Sequence, residues 1–276
     1  MTGMESGAAD QSLPVRLLAL GDAAWTIEFG TRIDPALHAR VLGLADALEQ
    51  ARRAEPGEAD GEGREGGAGC EDFAGIVDVV PTFRSLTVHF NPLLIDGQRL
   101  GQALLRLAAD AGTASRKGRH WRIPVCFDEE FSPDLNDLAQ SKGLSREAVI
   151  ALMSETTFTV YLIGFMPGFP YLGGLPALLE APRLASPRKA VPARSLAIAG
   201  AMCAVYPWQS PGGWRLLGKT PVPMFSAGNA QSPSLLASGD RVCWQAVDRP
   251  LYLEIEAAAQ AGEFALDSLL LVPGET

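Results

Sequence analysis

The chain is poor in cysteine, histidine and long apolar runs, and each shortage excludes a class of protein. Its four cysteines, Cys70, Cys126, Cys203 and Cys243, are scattered without a C-x-x-C pair, and no histidine lies near them at zinc-ligand spacing. No apolar run is long enough to span a bilayer, and the first residues lack the pattern of a secretory signal. We therefore expect a cytoplasmic protein with reduced thiols, no bound metal and no membrane partner.

Basic residues are also in the minority. The chain has 23 lysines and arginines against 32 aspartates and glutamates, which gives a formal net charge of −9. Nucleic acids and anionic membrane surfaces bind to basic faces, so neither is expected as the main partner. A small anionic substrate is compatible with this balance, because a pocket can be locally basic inside an acidic protein.

Two standard catalytic motifs are absent. We find no G-x-S-x-G elbow and no G-x-G-x-x-G loop after a strand. The three histidines, His38, His89 and His120, are not placed with a serine or cysteine in a known nucleophile motif. The sequence therefore identifies no catalytic residue.

The first half of the chain alternates short apolar runs with helical periodicity. Two strands precede a helix that begins at Asp34-Pro35, where Asp is a favoured N-cap and Pro suits the first turn. Two further strands precede a second helix, so we expect one antiparallel sheet with both helices on one face, a domain spanning 12–115. The strands are predicted over 15–20, 25–29, 73–80 and 85–90, and the second helix over 98–109. Residues 55–69, rich in Gly and Glu, are predicted to be a disordered and dispensable insertion.

The second half is richer in Gly and Pro and in short apolar runs, which is typical of an all-β barrel or sandwich. Strands are predicted over 121–127, 158–163, 195–198, 203–206, 214–217, 242–246 and 252–255, and short helices over 133–140 and 145–153. The polar stretch 112–119 is the expected boundary, so the second domain spans 119–274.

Two segments combine aromatic residues with Gly and Pro at high density, 164–175 and 210–214. Bare amides at Gly can donate to an anion as a concave nest, and both segments could equally be tight barrel corners. Five cations interleave with them: Arg183, Arg188, Arg194, Arg215 and Lys219. Arginine suits bidentate binding of carboxylate or phosphate, although most such charges are solvated.

Three ordered blocks, 161–175, 186–195 and 206–221, resemble the KipI / PxpB family, also called allophanate hydrolase subunit 1, which carries a carboxyltransferase-type domain. The resemblance implies an α+β protein: a small N-terminal α/β sandwich of order β-β-α-β-β-α, followed by a cyclophilin-like β-barrel. It further implies a subunit of an ATP-dependent 5-oxoprolinase that opens 5-oxoproline to glutamate.

The family pairs with a C-type subunit of the KipA / allophanate hydrolase subunit 2 type and with an A-type subunit, so the chain is not expected to be active alone. ATP is the implied co-substrate. The alternative is a KipI-like regulatory protein that inhibits a sensor histidine kinase, or a paralogue with an altered pocket.

The candidate binding residues lie in these blocks, with Arg188 and Lys219 as the proposed anion-binding cations. They are Gly164, Phe165, Pro167, Gly168, Phe169, Tyr171, Gly173, Arg188, Ser195, Tyr206, Ser210, Gly212, Gly213, Trp214 and Lys219. The chain also departs from the family: Met153 replaces a usual His, Arg194 a usual Gly, and Ser226 a usual Asp. Residues 202–204 replace a Gln-Thr-Gly pattern, which removes a further polar group from the region.

Overall fold

The computed structural model describes residues 14–53, 73–112, 118–229 and 231–271, and the predicted insertion at 55–69 lies outside them. The chain divides into two compact units, with the division between Arg116 and Lys117. No helix in the described ranges is long and apolar enough to cross a membrane.

The first unit is an antiparallel sheet covered by two helices, and the predicted order β-β-α-β-β-α is confirmed. The elements are β1 (Arg16–Ala19), β2 (Ala24–Glu28), α1 (Pro35–Arg53), β3 (Ile76–Pro81), β4 (Ser85–Phe90) and α2 (Gly97–Asp110), with strand order β1-β2-β4-β3. Along β4, Leu86, Val88 and Phe90 alternate with half-buried residues and join the helices' Leu44 and Leu100 in one core. Alternation of period two on a strand facing a helical stripe explains this packing.

Both helices of this unit start at the aspartates that the sequence favours. The Asp34 carboxylate accepts the Ala36 N–H at 2.7 Å, and the Asp96 carboxylate accepts the Gln98 N–H at 2.7 Å. Such caps satisfy backbone donors that a helix leaves unpaired, and each stabilises by about 1 kcal/mol.

The second unit is a closed barrel of seven strands with additional helices and a two-stranded ribbon. Its strands are β5 (His120–Cys126), β6 (Thr157–Ile163), β7 (Pro170–Gly173), β8 (Arg188–Val191), β9 (Ser195–Ala199), β10 (Met202–Val205), β11 (Ser210–Gly212), β12 (Arg215–Lys219) and β13 (Arg241–Val247). The barrel order is β10-β7-β6-β13-β5-β12-β9, closed by the pairing of β9 with β10. All the barrel's strand pairs are antiparallel except β5 with β13. The ribbon consists of β8 and β11.

Three helices accompany the barrel: α3 (Leu135–Ser141), α4 (Arg146–Glu155) and α5 (Arg249–Ala261). The predicted strand over 252–255 is wrong, because these residues lie inside α5. The Asp248 carboxylate caps this helix by accepting the Leu251 N–H at 3.0 Å, and Gly262, at φ 74°, ends it. A run of four residues with two or three apolar side chains fits a strand or a helix, and the capping residues decide between them.

One buried carboxylate ties the start of β5 to the segment before β13. Asp240, 3% exposed, accepts the Arg119 amide at 2.9 Å, the Arg119 guanidinium at 2.8 Å and the Trp121 indole N–H at 3.0 Å. Its second oxygen also accepts the Ala237 N–H at 3.0 Å. A buried charge needs such partners, so Asp240 fixes the neighbouring starts of two parallel strands.

Candidate functional site

The barrel has a second apolar cluster on the face of its wall opposite the main core. Along β9, Leu196 and Ile198 belong to the main core, while Ala197 and Ala199 belong to the second cluster. Val191 of the ribbon is a member of the same cluster, so the β8–β11 ribbon covers it. The small alanines leave room on this face for large aromatic rings.

Four aromatic residues, from the two Gly/Pro-rich segments and the end of β10, form the centre of this cluster. Phe169 meets Tyr206 edge-on with ring centroids 5.1 Å apart, and meets Trp214 edge-on at 6.0 Å. The centroid of the Tyr171 ring lies 4.9 Å from that of Phe169 and 5.9 Å from that of Trp214. Edge-to-face pairs of this kind contribute about 0.5–1.5 kcal/mol each beyond area burial. The sequence segments 164–175 and 210–214 are therefore brought together, as the candidate site requires.

The turn between β6 and β7 has an unusual backbone. Phe165 has a φ of 67° although it is not glycine, and Gly168 has a φ of 77°. A side chain at Gly168 would also sit 2.7 Å from the Phe225 Cβ. Phe165 is 65% exposed and touches Phe169 edge-on at 5.3 Å, while Pro167 is exposed beside it. A strained turn that leaves an aromatic ring in solvent is typical of a binding loop.

Two of the candidate glycines are places where an aromatic side chain approaches the backbone closely. A Cβ on Gly173 would clash with the Tyr161 ring, and a Cβ on Gly212 would clash with the Tyr206 hydroxyl. Gly213 has ordinary contacts, the nearest at 3.6 Å, and Gly164 adjoins only flexible side chains. Gly173 and Gly212 therefore allow the aromatic packing.

Arg188, on the ribbon, is held by a carboxylate that the sequence did not single out. Its Nη2 donates to Asp134 Oδ1 at 2.6 Å, and Asp134 Oδ2 accepts the Leu216 N–H at 2.6 Å. The Nη1 of Arg188 and the hydroxyl of Ser210, on the two strands of the ribbon, are buried without a hydrogen-bond partner among the described residues. Buried donors without partners cost free energy, so they mark a place where a ligand's acceptor would be stabilised.

The two tyrosines of the cluster are protonated donors, not bases. Burial raises the pKa of Tyr206, opposed by the Trp214 backbone N–H, and burial also raises the pKa of Tyr171. Neutral hydroxyls can hydrogen-bond to a carboxylate or an amide but cannot abstract a proton at neutral pH.

Lys219 and Ser195 lie elsewhere in the barrel wall, directly opposite each other on β12 and β9. The Ser195 hydroxyl is buried and donates to the Pro192 carbonyl at 2.8 Å, which is a structural role. The Lys219 ammonium lies 5.2 Å from the centre of the Phe131 ring and 5.8 Å from that of Tyr252. The two candidate cations, Arg188 and Lys219, therefore have different sets of neighbours.

The four departures from the family each have different surroundings. Met153 is fully buried in the main barrel core, and Met202 packs against the aromatic cluster. Arg194 has a φ of 68°, a conformation that suits the glycine it replaces. Ser226 lies in a turn where its N–H donates to the Pro233 carbonyl at 2.7 Å. The loss of a histidine at Met153 thus takes no polar group from the aromatic cluster.

Sequence reasoning missed the partner of Arg188. Asp134 stands at the N-cap position of α3, yet its side chain makes no capping hydrogen bond and turns to Arg188 and Leu216 instead. The string Ser-Pro-Asp before a helix is a local capping signal, and a tertiary ion pair has overridden it.

One cysteine has a histidine neighbour that sequence spacing did not reveal. His120 Nε2 lies 3.3 Å from Cys243 Sγ, across the parallel pair β5–β13, and the Thr157 hydroxyl is also 3.3 Å from the sulfur. In the part of the chain that the structure describes, no group of three or more His, Cys, Asp or Glu side chains could hold a metal ion.

Two surface depressions are present outside the aromatic cluster. One of about 580 Å³ lies at the end of the barrel and is lined by Asp128, Glu129, Glu130, Arg146 and Arg249. The other, of about 460 Å³, lies in the first unit and is lined by Trp25, Phe90 and the start of α2 among others. Both are open to solvent rather than enclosed.

Known proteins share this chain's sequence over most of its length. The family model for the carboxyltransferase domain, subdomain C and D, matches residues 15–236. The 5-oxoprolinase B-subunit of Bacillus subtilis is 35% identical over 81% of this chain and 89% of its own length. The 5-oxoprolinase B-subunit of Haemophilus influenzae is 46% identical over 60% of this chain and 78% of its own length.

Solved structures agree with the fold. The crystal structure of TTHA0988 is 34% identical, with a TM-score of 0.66, and the match covers 82% of this chain and 40% of that longer chain. The Kluyveromyces lactis urea carboxylase is 17% identical with a TM-score of 0.68, covering 91% of this chain and 23% of that one. This second likeness concerns the fold alone.

Proposed function

Because the chain belongs to the carboxyltransferase subdomain C and D family, we propose that it is the B-type subunit of an ATP-dependent 5-oxoprolinase. The assembled enzyme would add water across the lactam of 5-oxoproline and release glutamate. The observation that carries the proposal is the match to the B-subunit of the Bacillus subtilis 5-oxoprolinase over 89% of that protein. We propose that the complex acts in the cytoplasm with A- and C-type partner subunits.

The aromatic cluster and the ribbon are the proposed contribution of this chain to the active site. The substrate carries a carboxylate and a lactam, so it needs cationic donors together with an apolar wall that excludes water. Arg188 Nη1 and the Ser210 hydroxyl are buried donors without partners among the described residues, and Phe169, Tyr206 and Trp214 lie beside the ribbon that carries them. An acceptor of a bound ligand would satisfy either donor.

ATP is proposed as a co-substrate of the assembled enzyme. Within this chain, the arginine and hydroxyl of the ribbon are suited to an anionic group. Residues 213–220 fit the pattern G-x-x-x-x-G-K-[ST], but most of them form strand β12 rather than a loop before a helix, so they are not a P-loop. The role derived for these residues is to bind and orient an anionic group and to exclude water around it.

The regulatory alternative, a KipI-like inhibitor of a sensor histidine kinase or a paralogue with an altered pocket, has less support. Its motive was the loss of polar groups at Met153 and Met202. Met153 lies in the main barrel core, away from the aromatic cluster, whereas Met202 packs against that cluster. The aromatic candidates Phe169, Tyr171, Tyr206 and Trp214 lie in one cluster, which supports the enzyme subunit over the regulator.

The proposal is tested by co-expression of a tagged chain with the A- and C-type subunits. We expect the C-type subunit to co-purify with this chain, and the mixture to convert 5-oxoproline to glutamate only with ATP. Full activity of this chain alone would contradict the partner requirement, and binding to a sensor kinase without any turnover would favour the regulatory alternative.

A further inference from the structure

Lys219 is the last residue of β12. Its surroundings leave the ammonium without a carboxylate partner among the described residues. Its ammonium lies near the Phe131 and Tyr252 rings at 5.2 and 5.8 Å. Within the described part of the chain the ammonium forms no ion pair and no hydrogen bond. The aromatic faces attract a cation, but they satisfy none of the three N–H donors.

Both carboxylates near Lys219 are bound to arginines instead. Glu256 Oε1 pairs with Arg194 Nη2 and accepts the Tyr252 hydroxyl at 3.0 Å. Glu130 pairs with the Arg249 Nε at 2.8 Å. Each carboxylate could instead form an ion pair with Lys219. Arg194 and Arg249 therefore compete with Lys219 for these two glutamates.

The backbone keeps Arg194 in place at a cost. Its φ of 68° lies in the left-handed region, which a residue with a side chain occupies at about 1–2 kcal/mol. The Arg194 N–H donates to the Tyr206 carbonyl, its own carbonyl accepts the Thr220 N–H, and Nη1 donates to the Pro221 carbonyl at 2.9 Å. These contacts hold the guanidinium, only 19% exposed, beside Glu256.

The charges around the ammonium both raise and lower the pKa of Lys219. Burial lowers the pKa of Lys219, the Arg194 cation lowers it further, and Glu256 and Glu130 oppose both effects. A half-buried lysine with this balance gains most from an added anion, because the anion supplies the charge and the acceptors that the protein withholds.

We propose that Lys219 binds an oxyanion, a carboxylate or a phosphate oxygen, and that Arg194 and Arg249 are positioning residues that keep Glu256 and Glu130 from neutralising it. This site adjoins the depression lined by Glu130 and Arg249 and is separate from the contacts of Arg188. The inference deepens the proposed function and rests on it only for the identity of the anion.

The chain offers a direct probe, because it contains only four lysines, Lys117, Lys142, Lys189 and Lys219. Labelling the lysines with ¹³C and ¹⁵N leaves the ammonium groups unmodified and gives each side chain a resonance whose pH titration reports its pKa. Lys219→Met identifies the Lys219 signal, and exposed Lys189 is the internal control. The full chain is titrated with inorganic phosphate and, separately, with 5-oxoproline.

We expect the pKa of Lys219 to lie below the usual value for lysine, and at least one anion to shift its resonance and raise its pKa. A response to phosphate alone indicates a phosphate site, and a response to 5-oxoproline alone indicates a carboxylate site. No response of Lys219 to either anion would overturn the proposal.

The positioning role is tested with Arg194→Gly, a change that suits the local backbone. Freed Glu256 should then pair with Lys219, raise its pKa without ligand and weaken anion binding by about five- to tenfold. Glu256→Gln in the same chain should restore the affinity, a rescue that a merely structural arginine would not give. Unchanged affinity in Arg194→Gly, or no rescue, would refute this role. Anion binding is measured on this chain alone, whereas turnover is measured on the assembled complex. A lack of anion binding can therefore be told apart from a lack of turnover.

Discussion

The pair formed by Arg188 and Asp134 offers the clearest quantitative test of the candidate site, because it separates a structural role from a binding role. The Asp134 side chain is 7% exposed, and its partners are Arg188 and the Leu216 N–H, each at 2.6 Å. Arg188→Met removes one charge-assisted hydrogen bond from a buried carboxylate. A bond of this kind contributes about 1.5–3 kcal/mol, and the 28% exposure of Arg188 places the expected loss near ~2 kcal/mol.

A double-mutant cycle isolates that interaction. Asp134→Asn keeps an acceptor for the Leu216 N–H but leaves the arginine unpaired, so alone it should cost a similar ~2 kcal/mol. In the double variant neither charge is stranded, and its loss should be smaller than the sum of the two by about 1–2 kcal/mol. Urea unfolding followed by tryptophan fluorescence measures all four proteins, and Lys189→Met on the same strand should change stability by less than about 0.5 kcal/mol.

The outcome decides what Arg188 does. Additive effects within about 0.5 kcal/mol would refute the structural coupling. If the double variant is stable but binds no ligand, Arg188 is a binding residue in addition to its structural part. Retained ligand affinity and turnover in the double variant would remove Arg188 from the site.

Three further expectations follow from the geometry. Gly212→Ala forces a Cβ onto the Tyr206 hydroxyl and should lower thermal stability by about 1–3 kcal/mol, whereas Gly213→Ala, with its nearest contact at 3.6 Å, should be nearly neutral; equal effects would contradict the close packing. Burial is the larger cause, and two neighbouring arginines the smaller one, of a His120 pKa below 6.5. In this pH range the unfolded chain therefore binds more protons than the folded chain. Stability should therefore fall as pH drops through 6.5 towards the folded pKa, and His120→Gln should flatten that part of a melting-temperature profile; an unchanged slope would refute it. Asp240→Asn keeps the shape but removes the charge from a carboxylate with four N–H contacts, and should cost about 2–3 kcal/mol in urea unfolding, with a loss below about 0.5 kcal/mol counting against its role.

Most of the architecture is present in the local sequence. Asp34, Asp96 and Ser145 mark helix starts, and alternating apolar residues mark β4. These signals involve residues close together in the chain, so they can be recognised from the sequence alone. The same reasoning failed for 252–255, where the short apolar run was read without its cap at Asp248 and its end at Gly262.

The assembly of the two Gly/Pro-rich segments follows the sequence expectation, whereas the partners of the cations could not be predicted. The Gly/Pro-rich segments do assemble around Phe169, because stiff turns place aromatic rings against small alanines on the barrel wall. The partners of the cations came from distant parts of the chain: Asp134 for Arg188, and Phe131 and Tyr252 for Lys219. Contacts across such separations depend on barrel closure, which leaves no spacing pattern in the sequence.

The central claim is that this chain is a required subunit of a 5-oxoprolinase, and one measurement tests it most directly. Glutamate formation from 5-oxoproline is followed in a mixture of A- and C-type subunits with ATP, with and without this chain. The account predicts ATP-dependent glutamate release only when the chain is present. Equal rates in its absence, or no turnover by an assembled complex of all three subunits, would contradict it.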